Sequence, residues 1–288
     1  MYKKTIVATD LSSEALDLVA TTGNLKGFGV EKILLIAFWD ALDLLGIDTF
    51  FKAIIYKDLE NNLKGKKEVL ERHGFEVSTR VMDGPSALQV SNIALEEDYN
   101  LVVAASDSKV FNPMANKLIH NARKPTYIYK PDAKKHRIAK KRGIEQKGIA
   151  DHLLFATDFS KNSNLAFKHL IEMLPFINNK ITIVHVQDEY KISAYAYENM
   201  KEVDESDDKT LEKMKESLLK NGCPEVETLL LTGAPSNEIL SAIEEHSPQL
   251  VMMGCQGRGF VNEFFLGSVS HKVARRSPVS VLLIPAKR

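Results

Sequence analysis

Short apolar runs recur along the chain, separated by longer segments in which apolar residues return every three or four positions. Runs such as Ile33–Ala37, Leu153–Ala156, Leu250–Met253 and Val281–Ile284 are apolar at successive positions rather than alternate ones. That is the pattern of strands covered on both faces. Between them, spacings such as Ala166, Leu170, Ile171 and Leu174 lay an apolar stripe along one side of a helix. Parallel strands alternating with helices, joined by right-handed crossovers, predict a doubly wound α/β sheet. Ser12 and Ser160 are placed to cap helix starts. Pro85 and Pro235 stand near first helical turns, where a missing N–H costs nothing.

The whole pattern occurs twice. Thr5–Ser12 (TIVATDLS) matches Leu153–Ser160 (LLFATDFS), and Ile33–Asp40 matches Ile181–Asp188. Asp83–Leu88 matches Thr232–Asn237, Leu101–Ser106 matches Leu250–Cys255, and Lys124–Tyr129 matches Ser277–Leu282. A duplication of this length predicts two tandem domains, each with five strands. We place them at residues 1–130 and 150–288. Residues 131–149 form a basic stretch poor in apolar side chains, which reads as an exposed linker.

Composition narrows the function classes. A formal net charge of +0 and a pI of about 7.1 give no electrostatic reason to expect nucleic acid or an anionic membrane as partner. The basic linker lacks the interleaved aromatics of a single-strand binder. No apolar run approaches the roughly 18 residues of a spanning helix, and the chain enters its first strand at Lys4 without a signal-peptide layout, so a cytoplasmic location is expected. Cys223 and Cys255 form neither a disulfide framework nor a zinc motif. His152, His185, His246 and His271 are scattered without ligand spacing, and no nucleophile or general base stands out.

The candidate chemistry lies after the strand Leu250–Met253, in the spacing Gly254-x2-Gly257-x9-Gly267-Ser268. Glycines let a backbone approach phosphate closely, and a helix opening at Ser268 would offer the free first-turn amides of Ser268, Val269 and Ser270, with two hydroxyls. A tight strand-to-helix connection without ligand fits the same glycines. Neither a Walker motif nor a G-x-G-x-x-G follows a first strand. In the first half, direct matching puts Ala105, Ser108, Met114 and Ala115 opposite Gly254, Gly257, Gly267 and Ser268, with a loop shorter by four residues. Side chains then occupy the space a phosphate would need, so the first half is expected to keep the fold and to have lost the cradle.

The glycine spacing, Gly233–Ile239 before a helix, Thr157–Ser160 ending the first strand, and the closing Ser277–Pro285 together resemble the universal stress protein family. The resemblance is carried by Leu153–Pro285, and in that family the glycine motif marks members that bind ATP or related adenine nucleotides. It implies two Rossmann-like domains of the adenine nucleotide alpha hydrolase type, strand order 3-2-1-4-5 in each. It also implies ATP, or AMP or ADP, in the second half, with any Mg²⁺ held by the phosphates. By the same resemblance Asp158 lies near the adenosine moiety, Ala156 and Thr157 line the nucleoside wall, Val186 reads the adenine edge through its backbone, and Met253, before Gly254, is among the nucleotide-binding positions. Asp158 also fits a helix cap, and Val186 a core strand. Arg258 fits a phosphate contact or an exposed loop side chain, and Gly259 loop flexibility; Gln256 departs from the basic residue often found there. Cys255 reads as a reactive thiol or as a small residue filling a serine position.

The family also implies that the last strands, Thr126–Tyr129 and Val279–Ile284, pair within the chain as an intramolecular pseudo-dimer, any further homodimer using another surface. A regulatory binding module with an unidentified protein partner is the leading expectation. A slow Mg²⁺-dependent ATP hydrolase and a nucleotide-free interaction module are the others.

Overall fold

A computed structural model describes residues 1–9, 22–39, 48–83, 87–105, 113–130, 150–188, 200–257 and 267–286. The linker 131–149, and Asp10, Ser12, Pro85, Ser108, Arg258 and Gly259, lie outside the described residues.

The first half runs β1 (Lys4–Thr9), α1 (Thr22–Gly27), β2 (Lys32–Trp39), α2 (Thr49–Arg72), β3 (Glu76–Asp83), α3 (Ala87–Glu96), β4 (Leu101–Ala105), α4 (Pro113–His120) and β5 (Thr126–Tyr129). The second runs β6 (Ala150–Thr157), α5 (Lys161–Met173), a 3-10 turn (Leu174–Phe176), β7 (Ile177–Asp188), α6 (Met200–Lys220), β8 (Glu225–Gly233), α7 (Pro235–His246), β9 (Leu250–Gly254), α8 (Ser268–Arg276) and β10 (Ser280–Ile284). Within each half the strands are parallel in the order 3-2-1-4-5. The runs apolar at successive positions become strands covered on both faces: every residue of β9 and β10 is buried.

The two sheets join into one of ten strands through an antiparallel seam, with Thr126 opposite Leu283, Tyr127 opposite Leu282 and Ile128 opposite Val281. Both edges thereby lose their unpaired amides and carbonyls to each other. Side chains reinforce the seam: Lys130 N donates to Ser280 Oγ at 3.1 Å, and Tyr2 packs its hydroxyl 3.9 Å from Met173 Sδ in the other half. The Tyr127 ring meets Phe28 edge-on at 5.1 Å, closing the apolar layer beneath the seam.

Alternation along the strands sorts side chains into two layers, each continuous across both halves. Tyr127, Phe155, Ile181 and Leu282 face α1, α2, α5 and α6, whereas Ile128, Ala156, Val186 and Leu283 face α3, α4, α7 and α8. Leu170, Met173 and Leu218 are wholly buried in the first layer, each stabilising the fold by about 1.5–3 kcal/mol relative to exposure. Ser160 caps α5 by accepting from Ser163 N, and Pro235 opens α7, as the sequence predicts.

Matching of the halves by burial shifts one pair of positions. In α8 the buried residues are Ser270, Val273 and Ala274; among those of α4 whose burial is described they are Ala115, Leu118 and Ile119. Ser270 therefore corresponds to Ala115, and Ser268 to Pro113, two places away from the direct sequence match. Residues 106–112 join β4 to α4, whereas 255–267 join β9 to α8, so the first-half connection is shorter than direct matching implies. The buried face of the helix, rather than loop length, fixes the correspondence. Pro113 brings no N–H to the first turn of α4, which removes one anion donor that α8 keeps.

Candidate functional site

The candidate site forms where β6, β7 and β9 end, at the point where the strand order reverses, the usual place for a ligand in a doubly wound sheet. β6 leaves the sheet through a sharp turn. Phe159 adopts φ of 58°, a left-handed conformation unusual for an aromatic residue. Three contacts hold it there. Thr157 Oγ1 accepts from Phe159 N at 3.1 Å, Asp158 Oδ1 accepts from Ser160 N at 3.1 Å, and the Phe159 ring lies on the His185 ring at 4.1 Å between centroids. Thr157 Oγ1 also hydrogen-bonds Ser163 Oγ at 2.6 Å, one hydroxyl donating to the other, and His185 Nδ1 donates to Thr157 O at 2.8 Å. Both contacts lie on the α5 side of the sheet.

The glycine loop meets this turn. A Cβ built on Gly257 would stand 2.6 Å from Asp158 Oδ2, inside the van der Waals separation of carbon and oxygen, so one of the two would have to move. Gly257 is exposed and Asp158 half-buried, so the pair stands at the mouth of the site. Gly254 is close-packed in a different way: its Cβ would stand 2.9 Å from Asn162 Nδ2. At Gly267 a Cβ would meet Cys255 O at 3.2 Å and Ser270 Oγ at 3.3 Å.

The base of the loop is tied shut by its own backbone. Gly267 N donates to Cys255 O at 2.8 Å, and Cys255 N donates to Ile284 O at 2.8 Å. Ser270 Oγ lies 2.6 Å from Cys255 O and 2.9 Å from Gly267 O, so its single proton is shared between two carbonyls inside the fold. Ser270 thus closes the loop with its side chain, and the exposed Ser268 is the hydroxyl left at the start of α8. Gly267 provides no side-chain cap. The first-turn amides of Ser268, Val269 and Ser270 lie ahead of any intrahelical acceptor, which makes this helix end favourable to an anion.

Among the other sequence-predicted residues, Ala156, Val186 and Met253 are buried on the α7 and α8 side, and Val269 of α8 packs against the same apolar cluster. They form one apolar wall. Burial pushes the Cys255 thiol up to about 12, so it remains protonated and serves as a small apolar side chain. Sequence reasoning missed Asn162, Ser163 and His185, which support the site from the α5 side. His185 carried no ligand spacing, and Ser163 was hidden inside an ordinary helix start.

The first half reaches α8 directly. His271 Nε2 donates to Asn116 Oδ1 at 3.0 Å, and His120 packs its ring 5.1 Å from that of His271. Burial, together with His120 and Arg275, holds the His271 pKa below the usual histidine range. Among the described residues no group of three or more His, Cys, Asp and Glu side chains could hold a metal ion, and no helix is long and apolar enough to cross a membrane.

Comparison with known proteins agrees with this architecture. A universal stress protein of Methanocaldococcus jannaschii is 26% identical over 154 residues, covering 47% of this chain and 94% of its own length. A universal stress protein structure from Archaeoglobus fulgidus superposes with a TM-score of 0.73 at 23% identity, over 98% of this chain and 96% of that one. A functionally unknown protein from Pseudomonas aeruginosa shares the same fold, with a TM-score of 0.62 at 12% identity over 99% of this chain and 93% of its own. The model of the universal stress protein family matches twice, over residues 1–130 and 150–285. A repeated sheet of order 3-2-1-4-5 and a double family match lead to one conclusion: the chain belongs to the universal stress protein family, as a tandem of two such domains.

Proposed function

We propose that the second half binds an adenine nucleotide, ATP or its AMP and ADP relatives, and that the chain is a regulatory, stress-response binding module. The observation that carries the reading is the meeting of Gly257 with Asp158. Glycine lets the loop approach the strand-end carboxylate without displacing it, and the two supply complementary chemistry. The carboxylate accepts from ribose hydroxyls. The loop amides and the opening turn of α8, with Ser268, hold the phosphates, and Arg258 adds a cation. Ala156, Val186, Met253 and Val269 supply the apolar wall for the base. Mg²⁺, when present, is carried by the phosphates rather than by the protein.

The first half is the non-binding member of an intramolecular pseudo-dimer. Its α4 opens on proline and Ala105 stands where β9 has Gly254, while its contact with His271 buttresses the binding helix. Two nucleotides of different affinity for two arrangements of this pair would bias the arrangement that a partner protein meets.

The test is to identify small molecules released on denaturing the purified protein, then to titrate the emptied protein with ATP in a calorimeter. One site per chain is the expected result. Two equal sites would refute the loss of the first-half cradle, and no binding by any adenine nucleotide would refute the reading itself. Sustained phosphate release in a turnover assay would favour the hydrolase alternative.

A further inference from the structure

We propose that Asn162 is a positioning residue that latches the glycine loop, and that Gly254 is glycine because of this latch rather than because of a phosphate. Asn162 lies in the first turn of α5, on the opposite side of the sheet from α8. Its Nδ2 stands 3.2 Å from Gln256 O, where the loop leaves β9, and 3.5 Å from Ile284 O, where β10 ends. One amide thus pins the loop and the neighbouring strand end to the same helix.

The amide orientation is dictated by chemistry. Both neighbours are carbonyl oxygens, so a flipped amide would set oxygen against oxygen twice. Keeping the donors in place leaves Asn162 Oδ1 buried with no hydrogen-bond partner among the described residues. A buried unmet acceptor is costly, and the two carbonyls that the donors reach offset that cost.

Space at the latch is equally specific. A Cβ on Gly254 would stand 2.9 Å from Asn162 Nδ2, 3.3 Å from its Cγ and 3.4 Å from its backbone carbonyl carbon. The glycine therefore admits the side chain of Asn162 against the strand end. In the repeat, the residues at the two corresponding positions are Glu14 and Ala105. Glutamate offers no N–H to a carbonyl and alanine carries the Cβ that glycine lacks, so both members of the pair are replaced in the half that has no glycine loop.

The experiment uses the full chain with Asn162→Leu, which keeps the reach of the side chain without its donors, together with Asn162→Ala, Gly254→Ala and the double variant. In nucleotide-free protein, hydrogen exchange at residues 253–257 should rise in both Asn162 variants while β6 and β7 keep their protection. Gly254→Ala should lower the melting temperature by several degrees in the parent chain and leave it nearly unchanged in the Asn162→Ala chain, where the space is free. The affinity measurement rests on the nucleotide-binding reading above: Asn162→Leu should weaken ATP about tenfold while leaving adenosine within about twofold, because the latch holds the phosphate loop and not the nucleoside wall. Unchanged exchange at 253–257 overturns the latch whether or not ATP binds. An equal loss of melting temperature for Gly254→Ala in both backgrounds overturns the account of the glycine. Failure of the parent chain to bind ATP would sink the functional reading alone.

Discussion

Gly257→Ala is the most discriminating single change, because the structure says what the added methyl meets. Its carbon would stand 2.6 Å from Asp158 Oδ2, so the carboxylate must withdraw by roughly 0.8 Å to reach ordinary contact. Asp158 is short, and its other oxygen accepts from Ser160 N at 3.1 Å. Swinging the carboxylate away strains that bond, a loss of about 0.5–1.5 kcal/mol. Alanine restricts the unfolded chain more than glycine does, returning about 0.4–1 kcal/mol where the native backbone suits it. Gly257 is not among the glycines with positive φ, so that gain applies. The two effects nearly cancel, and the melting temperature should move by no more than about 4 °C.

Binding is affected differently. A hydrogen bond to a charged group contributes about 1.5–3 kcal/mol, so displacing the Asp158 carboxylate should weaken nucleotide binding by about 10- to 150-fold. The loss should appear for adenosine as well as for ATP, because the methyl acts through the ribose contact. Calorimetric titration of each ligand against parent, Gly257→Ala, Asp158→Ala and the double variant measures this directly. In the Asp158→Ala background the added methyl meets no carboxylate and should cost little more. Parent-like affinity of Gly257→Ala for both ligands would refute the convergence of loop and carboxylate; a loss for ATP alone would assign Gly257 to the phosphates only.

The two serines of α8 should separate cleanly: Ser268→Ala should weaken ATP by about 0.5–1.5 kcal/mol with stability nearly unchanged, whereas Ser270→Ala should lose a similar amount of folding stability because its hydroxyl is shared between Cys255 O and Gly267 O. Thermal melts and titrations of both variants check the contrast, which reverses if Ser270 turns out to be the phosphate donor. The native protein should leave Cys255 unmodified by a thiol reagent near neutral pH and expose it on unfolding, since burial keeps the thiol protonated; rapid native labelling at that residue would count against its packing. Stability should fall as pH drops from about 7 toward 5. His152 is held below the usual range by burial, Lys180 and His246, and His271 by burial, His120 and Arg275. The unfolded chain therefore takes up protons first, near 6.5, and stability present above that value is lost through the folded values below it. A melting temperature that rises on acidification in this window would contradict the sign.

Strand runs apolar at every position left few options, and duplication fixed how many times the unit occurs; that is why the fold was legible from residues such as Leu250–Met253 and Val281–Ile284. The glycine spacing was legible as a set of close backbone approaches, because a Cβ at Gly254, Gly257 or Gly267 would crowd a neighbour. Side-chain commitments were not. Ser268 and Ser270 look alike in sequence, yet one is exposed and the other spends its proton on two carbonyls, a difference set by which helix face meets the sheet. Direct matching of the halves paired Ser268 with Ala115, because a gap inside a loop has no periodicity to place it; burial of Ala115, Leu118 and Ile119 places it two residues away. Gly254 and Gly257 are equivalent letters in one motif, but the first makes room for Asn162 and the second for Asp158. A glycine motif thus records every close approach to the backbone at once, and only the partner of each missing Cβ tells ligand from latch.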